Sequence, residues 1–392
     1  MEKRPSSFGF KNKTFKAEFN WTVSFAQRPP KYIFACSKQE SHKSFILAKH
    51  EGLSICEDFL NNSLLCELQT ENLQLQCVDY SWYTEQLVVM GFSTGHILLM
   101  DPTKRKRGKV TWLNTRKNIY SLRPPKVCRW VNEHQYIVLF GDSYLWRFDK
   151  RLEGEDTDFI RAAPTTAKDS SEPILYFNHP SPKANPVSFW KLNLGSIRDV
   201  QVCPRTRGSF LAIITDEDLK IVDLANSTLI VTLKSYFAGF QSLAWSADGG
   251  MVVCGGEDDC IHVWSSFSWK LIGKCVGHSS WISSLCCFVR DGAHYVASAG
   301  HDGRMIIWEI EEKEVGKESN REVNKVGKEE GEEKGGGREN GVFEYPKKGN
   351  WEIIEPCVEV KVSEEPLQTV AVHDSNFFVL DMVGNLNMWG SD

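Results

Sequence analysis

The chain has 392 residues, 25% of them charged, and a formal net charge of −5. That length allows one large domain with ample core, and the slight acidity leaves no global basic field to favour nonspecific nucleic-acid binding. No apolar run approaches the length of a membrane span, and MEKRPSSFGFKNKTF lacks the apolar centre of a signal peptide, so the expectation is a soluble chain in the cytoplasm or nucleus with no membrane partner.

In chain order, alternating apolar stretches end at regular places: Cys56 in GLSICED, Met100 in HILLMDP, Phe148 in LWRFD, Val222 in LKIVDL, Trp264 in CIHVWS, Trp308 in RMIIWEI and Trp389 in NLNMWG. Most steps are roughly 42 to 48 residues, the spacing of one four-stranded propeller blade. Two steps are longer. Residues 151–186 supply the first excess, a polar Pro- and Ser-rich stretch expected to be a surface insertion. Residues 311–345, dense in Glu, Lys and Gly, supply the second and are expected to be an acidic, disordered insertion. Subtracting both leaves a single all-β domain over residues 1–392, a seven-bladed WD-repeat β-propeller. The last segment, LQTVAVHDSNFFVLDMVGNLNMWG, holds three strands of a blade, so a strand within Phe15–Phe25 is expected to close the ring.

The pattern is clearest over residues 234–310, where Asp258 and Trp264 recur as Asp302 and Trp308 about 44 residues later. In the second copy Gly277-His278 opens the blade, Ser298 lies on a strand, Asp302 in the next turn and Trp308 on the strand after it. Those residue types at that spacing predict a buried chain from the Trp308 N–H through Ser298 and His278 to Asp302, because polar groups taken out of water need partners. His278 is therefore read as structural. The first copy is degenerate: Tyr236 stands near the histidine position and Cys254 replaces the serine, so that blade is expected to lean on apolar packing.

At these residues the chain resembles a particular family: WD repeat-containing protein 20, its relative the dystrophia myotonica WD protein, and the fungal carbon-catabolite-repression protein CreC. The resemblance rests on Ser235-Tyr236-Phe237 with Gly239, the turn GGEDD at residues 255–259, and Gly277-His278 with Trp281. GFSTGHILLMDP, NPVSFWKL and IIEPCVEVKVSEEPLQTV agree with it, and together the similarity covers roughly Leu87 to Trp389. It implies a non-catalytic scaffold that binds and allosterically activates a ubiquitin-specific protease, sometimes beside a second WD-repeat activator, as a monomeric propeller within a hetero-complex. The alternative is a substrate receptor or peptide reader in a ubiquitin-ligase or chromatin complex.

The sequence offers no reacting centre to set against that reading. Its twelve cysteines are scattered, with no CxxC pair and no Cys/His cluster at zinc spacing, and read as reduced, buried thiols, so neither metal nor cofactor is expected. Phe237 and Trp281, with Tyr236 and Ser280 beside them, fall in the loops entering adjacent blades, where exposed aromatics suit a partner-binding hot spot. The alternative for both aromatics is a wedge between blades. The basic run Lys104-Arg105-Lys106-Arg107-Gly108-Lys109 is read as a solvated hairpin, with a nuclear address, a phosphate-binding patch or a contact for an acidic partner surface as the alternatives.

Overall fold

A computed structural model describes residues 8–10, 13–15, 17–24, 33–36, 45–49, 52–58, 63–69, 75–81, 87–106, 109–117, 123–152, 173–178, 185–206, 208–235, 239–310, 351–373 and 376–391. Their backbone is almost entirely strand and turn. Antiparallel meanders form because apolar runs of five to seven residues, such as Phe210–Thr215 and Met251–Gly256, alternate with tight corners. The second and third strands of each meander are buried almost end to end. Both faces of a sheet pack on neighbouring sheets, so the usual in–out alternation disappears.

Six such sheets are blades, lettered A to F here. Blade A runs Leu75–Tyr80, Val88–Phe92, His96–Lys106 and Lys109–Lys117. Blade B runs Pro125–Trp130, Gln135–Phe140, Tyr144–Asp149 and Ser188–Leu192, with Ile174–Asn178 as a fifth, outermost strand. Part of the stretch expected as a surface insertion is therefore sheet; residues 153–172 and 179–184 lie outside the described set. Blade C is Ile197–Val202, Phe210–Thr215, Leu219–Asp223 and Thr228–Leu233.

Blade D is Phe240–Trp245, Met251–Gly256, Cys260–Ser265 and Leu271–Val276, and blade E begins with Ile282–Arg290, Ala293–Gly300 and Arg304–Ile310. The chain returns after residues 311–350, which lie outside the described set, and first adds Glu352–Ile354 in parallel to the edge of blade D. Only then does Val358–Lys361 complete blade E. Blade F takes Leu367–His373, Asn376–Asp381 and Asn385–Ser391, and its fourth strand is Ala17–Ser24 from the other end of the chain. That strand falls inside the window the sequence reserved for it.

The seven-bladed count is corrected by this arrangement. The described side chains pack into six blades, and the innermost strands of those six line the central channel. A further four-stranded sheet, Ile33–Cys36, Phe45–Lys49, Gly52–Asp58 and Ser63–Gln69, runs beside blades A and F. Its described side chains are Ala35 and Ile46, which join the cluster of blade A, and the side chain of Cys56 lies outside the described set. Sequence period counts strand ends, whereas a blade is defined by two packed faces, and among the described residues six sheets meet that definition.

The blades are held by the clusters between them. Blades B and C share Ile137, Leu145, Trp190, Val200 and Ile213, while C and D share Ile221, Phe240, Val252 and Trp264. Each such side chain withdrawn from water contributes about 1.5–3 kcal/mol, so the core is a ring of interfaces rather than one central mass. Because blade F is completed only by Ala17–Ser24, deletion of residues 1–24 should leave the outer edge of its third strand unpaired. The expected outcome is a lower melting temperature and a smaller soluble fraction, measured by thermal denaturation and sedimentation; unchanged melting would show that the closing strand is dispensable.

Candidate functional site at the blade D and E rim

In blade E, Trp308 Nε1 donates to Ser298 Oγ at 2.9 Å, Ser298 Oγ lies 2.8 Å from His278 Nε2, and His278 Nδ1 lies 3.0 Å from Asp302 Oδ2. All four side chains are out of water, and the order lets Trp308 donate, Asp302 accept, and Ser298 and His278 each do both. Burial pushes the Asp302 carboxyl up, but the bond from His278, the Ser279 backbone N–H and the Arg304 backbone N–H outweigh it and hold the group well below the usual carboxylate range. Gly300 makes the close approach possible, since a Cβ there would stand 2.5 Å from His278 Nδ1 and 2.6 Å from Asp302 Oδ1. The network pins the loop of residues 277–281 to the following turn.

Blade D solves the same problem with different residues. Cys254 occupies the position of Ser298, and Trp264 Nε1 has no hydrogen-bond partner among the described residues. His262, on the strand that carries Trp264, lies 2.9 Å from Asp258 Oδ2, and Ser235 Oγ donates to the same oxygen at 2.9 Å. Phe240 meets the His262 ring edge-on at 5.4 Å and Trp264 stacks on it at 6.4 Å. Burial pushes the His262 imidazole below its ordinary value, with the bond to Asp258 opposing. Sequence reasoning missed His262. The available signal was that Ile306, its counterpart two residues before the tryptophan, is apolar where this position is not.

These two networks support one rim of the ring, formed by the loops entering each blade and the turns between second and third strands. Trp281 is there, 47% exposed and so not sealed between sheets. Its carbonyl accepts the His301 N–H at 2.8 Å, and the two rings are 5.9 Å apart. Ser280 beside it is half-buried. Tyr236 and Phe237 lie outside the described residues, although Ser235 and Gly239 fix both ends of their loop, Ser235 through Asp258 and Gly239 through its carbonyl bond to the Glu257 N–H.

Trp281 and His301 stand at the mouth of the central channel, a cavity of about 420 Å³ whose polar lining includes Lys126, Arg129, Arg198 and Asp199. Three of those charges are paired, Arg129 with Asp199 at 2.8 Å and Arg198 with Asp216 at 2.7 Å and Glu257 at 2.8 Å, while Lys126 Nζ donates to the Ile197 carbonyl. Arg198 thereby ties blade C to blade D just below the rim. The described cysteines point away from thiolate chemistry, since burial pushes Cys254, Cys275 and Cys287 well above the ordinary thiol value. The side chains of Lys104-Arg105-Lys106 lie outside the described set; their backbone forms the end of a blade A hairpin strand.

With blades A to F packed in series through shared clusters and a Trp–Ser–His–Asp chain in one of them, the protein is an all-β propeller carrying WD repeats. Residues 227–265 and 269–309 match the family described as WD domain, G-beta repeat, and these are the last strand of blade C, the four strands Phe240–Val276 of blade D and the first three strands of blade E. A curated relative, UBP9-binding protein bun62 of Schizosaccharomyces pombe, is 25% identical over 290 residues, 68% of this chain. The match spans about half of that relative, 52% of its length. A chain in the crystal structure of the mitotic checkpoint complex superposes over 100% of this chain and 95% of its own with a TM-score of 0.65; at 13% identity it supports the fold.

Two measurements check the networks. Ser298→Ala strands both the Trp308 N–H and His278 in an apolar interior, and should cost about 1–3 kcal/mol in urea denaturation. An unchanged midpoint would show that the network carries no stability. His262 is neutral in the fold and its folded value is lowered, so its contribution is fully present above the ordinary histidine value of about 6.5 and is lost as pH falls below it. Unfolding free energy should thus decline between about pH 7 and 5, and His262→Gln should flatten that slope; parallel slopes would refute the assignment.

Proposed function

We propose that this propeller is a non-catalytic interaction subunit that binds a ubiquitin-specific protease through the rim around Trp281 and Phe237. The observation that carries the reading is Trp281: a large aromatic, half in solvent, held by a rigid backbone bond at the channel mouth and resting on two buried polar networks. A large, pre-ordered aromatic suits a partner's pocket because a rigid ring has little freedom left to lose on binding. The printed name of the Schizosaccharomyces pombe relative supplies the class of partner. The finer family resemblance in residues 235–239 and 277–281 adds activation, with a second WD-repeat activator as a further partner.

Activation by a rigid ring has one available route. The rim must bind the productive conformation of the protease better than the idle one, and the shift in population equals that difference in affinity. A second reading, a peptide reader, is favoured by the channel itself, whose polar mouth could seat an extended segment. The two differ in what they do to a protease.

Trp281→Ala combined with Phe237→Ala should weaken protease binding by at least about 100-fold in calorimetry while shifting the melting temperature by no more than about 2 °C. Wild-type protein should raise turnover of a fluorogenic ubiquitin substrate by the protease, and the double variant should not. Lost folding would place both rings between blades; binding without faster turnover would leave a scaffold and remove the activator.

A further inference from the structure

The opposite rim carries a second aromatic that the protease-binding reading does not use. Phe267 lies in the turn between the third and fourth strands of blade D and is 69% exposed, more than Trp281. The turn is tightly built. Ser266 N–H donates to the Gly250 carbonyl at 2.9 Å and Ser266 Oγ to the Gly249 carbonyl at 2.7 Å, while Trp269, at φ +55°, packs its ring into the cluster shared by blades C and D. Over Phe267 lies the guanidinium of Arg205, from the first turn of blade C, with its carbon 4.2 Å from the ring centroid and Nη2 donating to Ser266 Oγ at 3.2 Å.

Charge sets what could sit there. Arg205 has no carboxylate within ion-pair distance among the described residues, and neither does the exposed Lys270 one residue past the turn. Elsewhere Arg129, Arg151, Arg198 and Arg304 each hold an acid, and Arg147, which lies over the Trp190 ring, donates to the Gly208 carbonyl. An ordered Arg–Phe stack with open donors, beside a second open cation, is the reverse of the acid-closed rim around Arg198. It combines an aromatic and an arginine, residue types enriched at interfaces, with a pre-ordered geometry.

We infer that the Phe267–Arg205–Lys270 patch is a docking site for an acidic, apolar linear segment of a second protein, on the face opposite Trp281. An aromatic or aliphatic side chain of that segment would lie against the free face of Phe267, and a carboxylate would take the remaining guanidinium donors of Arg205, with Lys270 adding attraction at longer range. The two rims being back to back, one ring could hold two partners at once without competition. The site stands independently of the protease reading, since neither Trp281 nor Phe237 takes part.

The test uses the full chain and a fluorescein-labelled peptide of three Asp-Leu-Glu-Phe repeats, with a Lys-Leu-Arg-Phe counterpart as the control. Fluorescence anisotropy should show saturable binding of the acidic peptide that weakens with added salt, and no saturable binding of the basic one. Phe267→Ala and Arg205→Ala should each weaken it by about tenfold, and Trp281→Ala should leave it unchanged. Arg205→Glu combined with Lys270→Glu should reverse the preference between the two peptides, an outcome that loss of folding cannot mimic. Equal binding by all variants, or no saturable binding, would overturn the proposal. So would concentration-dependent self-association abolished by Phe267→Ala in sedimentation equilibrium, which would give the patch to a second copy of the chain.

Discussion

A single sheet of this protein has two apolar faces and no means of covering either, and the whole architecture follows from that. Met251–Gly256 is buried at every residue because Ile221 and Phe240 come at it from one side and Ile282 and Val296 from the other. Stacking sheets around an axis lets each serve as its neighbour's cover. It also fixes where function can be placed, since the faces are spent on packing and only the loops at the two rims and the strand edges remain. The mirror-image roles proposed for Trp281 and Phe267 are what such a body allows.

Buried polar chemistry then decides how firmly the rims are held. Blade E closes its Trp308, Ser298, His278 and Asp302 in one line, so the loop bearing Trp281 is anchored through His278 and Ser279. Blade D lacks the serine and recruits His262 from its own strand, a repair that secures Asp258 and Ser235 but leaves the Trp264 N–H outside the network. The two repeats therefore hold their rims with different networks although they share a period. An imidazole held below its ordinary value makes blade D sensitive to acid.

Much of this was legible in the residues, and the parts that were not have identifiable reasons. The recurrence of Asp258 and Trp264 as Asp302 and Trp308 marks blades D and E, and the three-strand remainder before Trp389 points to Ala17–Ser24 as the closing strand. The blade count did not follow, because the position of Cys56 repeats the spacing without showing which faces are packed; among the described residues six blades are. Ile174–Asn178 was hidden inside a polar stretch, its pairing set by Ser188–Leu192 rather than by its own pattern. His262 was invisible to a search for histidine at the repeat's usual place, since a strand can supply the same donor from two residues before its tryptophan. Phe267 carried no signal either, because a lone aromatic in a turn reads like any other until Arg205 from the neighbouring blade is seen above it.

The pairing of Ala17–Ser24 with Asn385–Ser391 sets an order of events during synthesis. Ala17–Ser24 is made before blades A to E and its partner after them, so it must wait, unpaired, while the intervening sheets are made. Until then every intermediate is an open arc with a bare strand at one end and an unfinished sheet at the other, the kind of species that chaperones shield. Closure is in that sense a quality check: only a chain translated through Asn385–Ser391 can pair that strand with Ala17–Ser24.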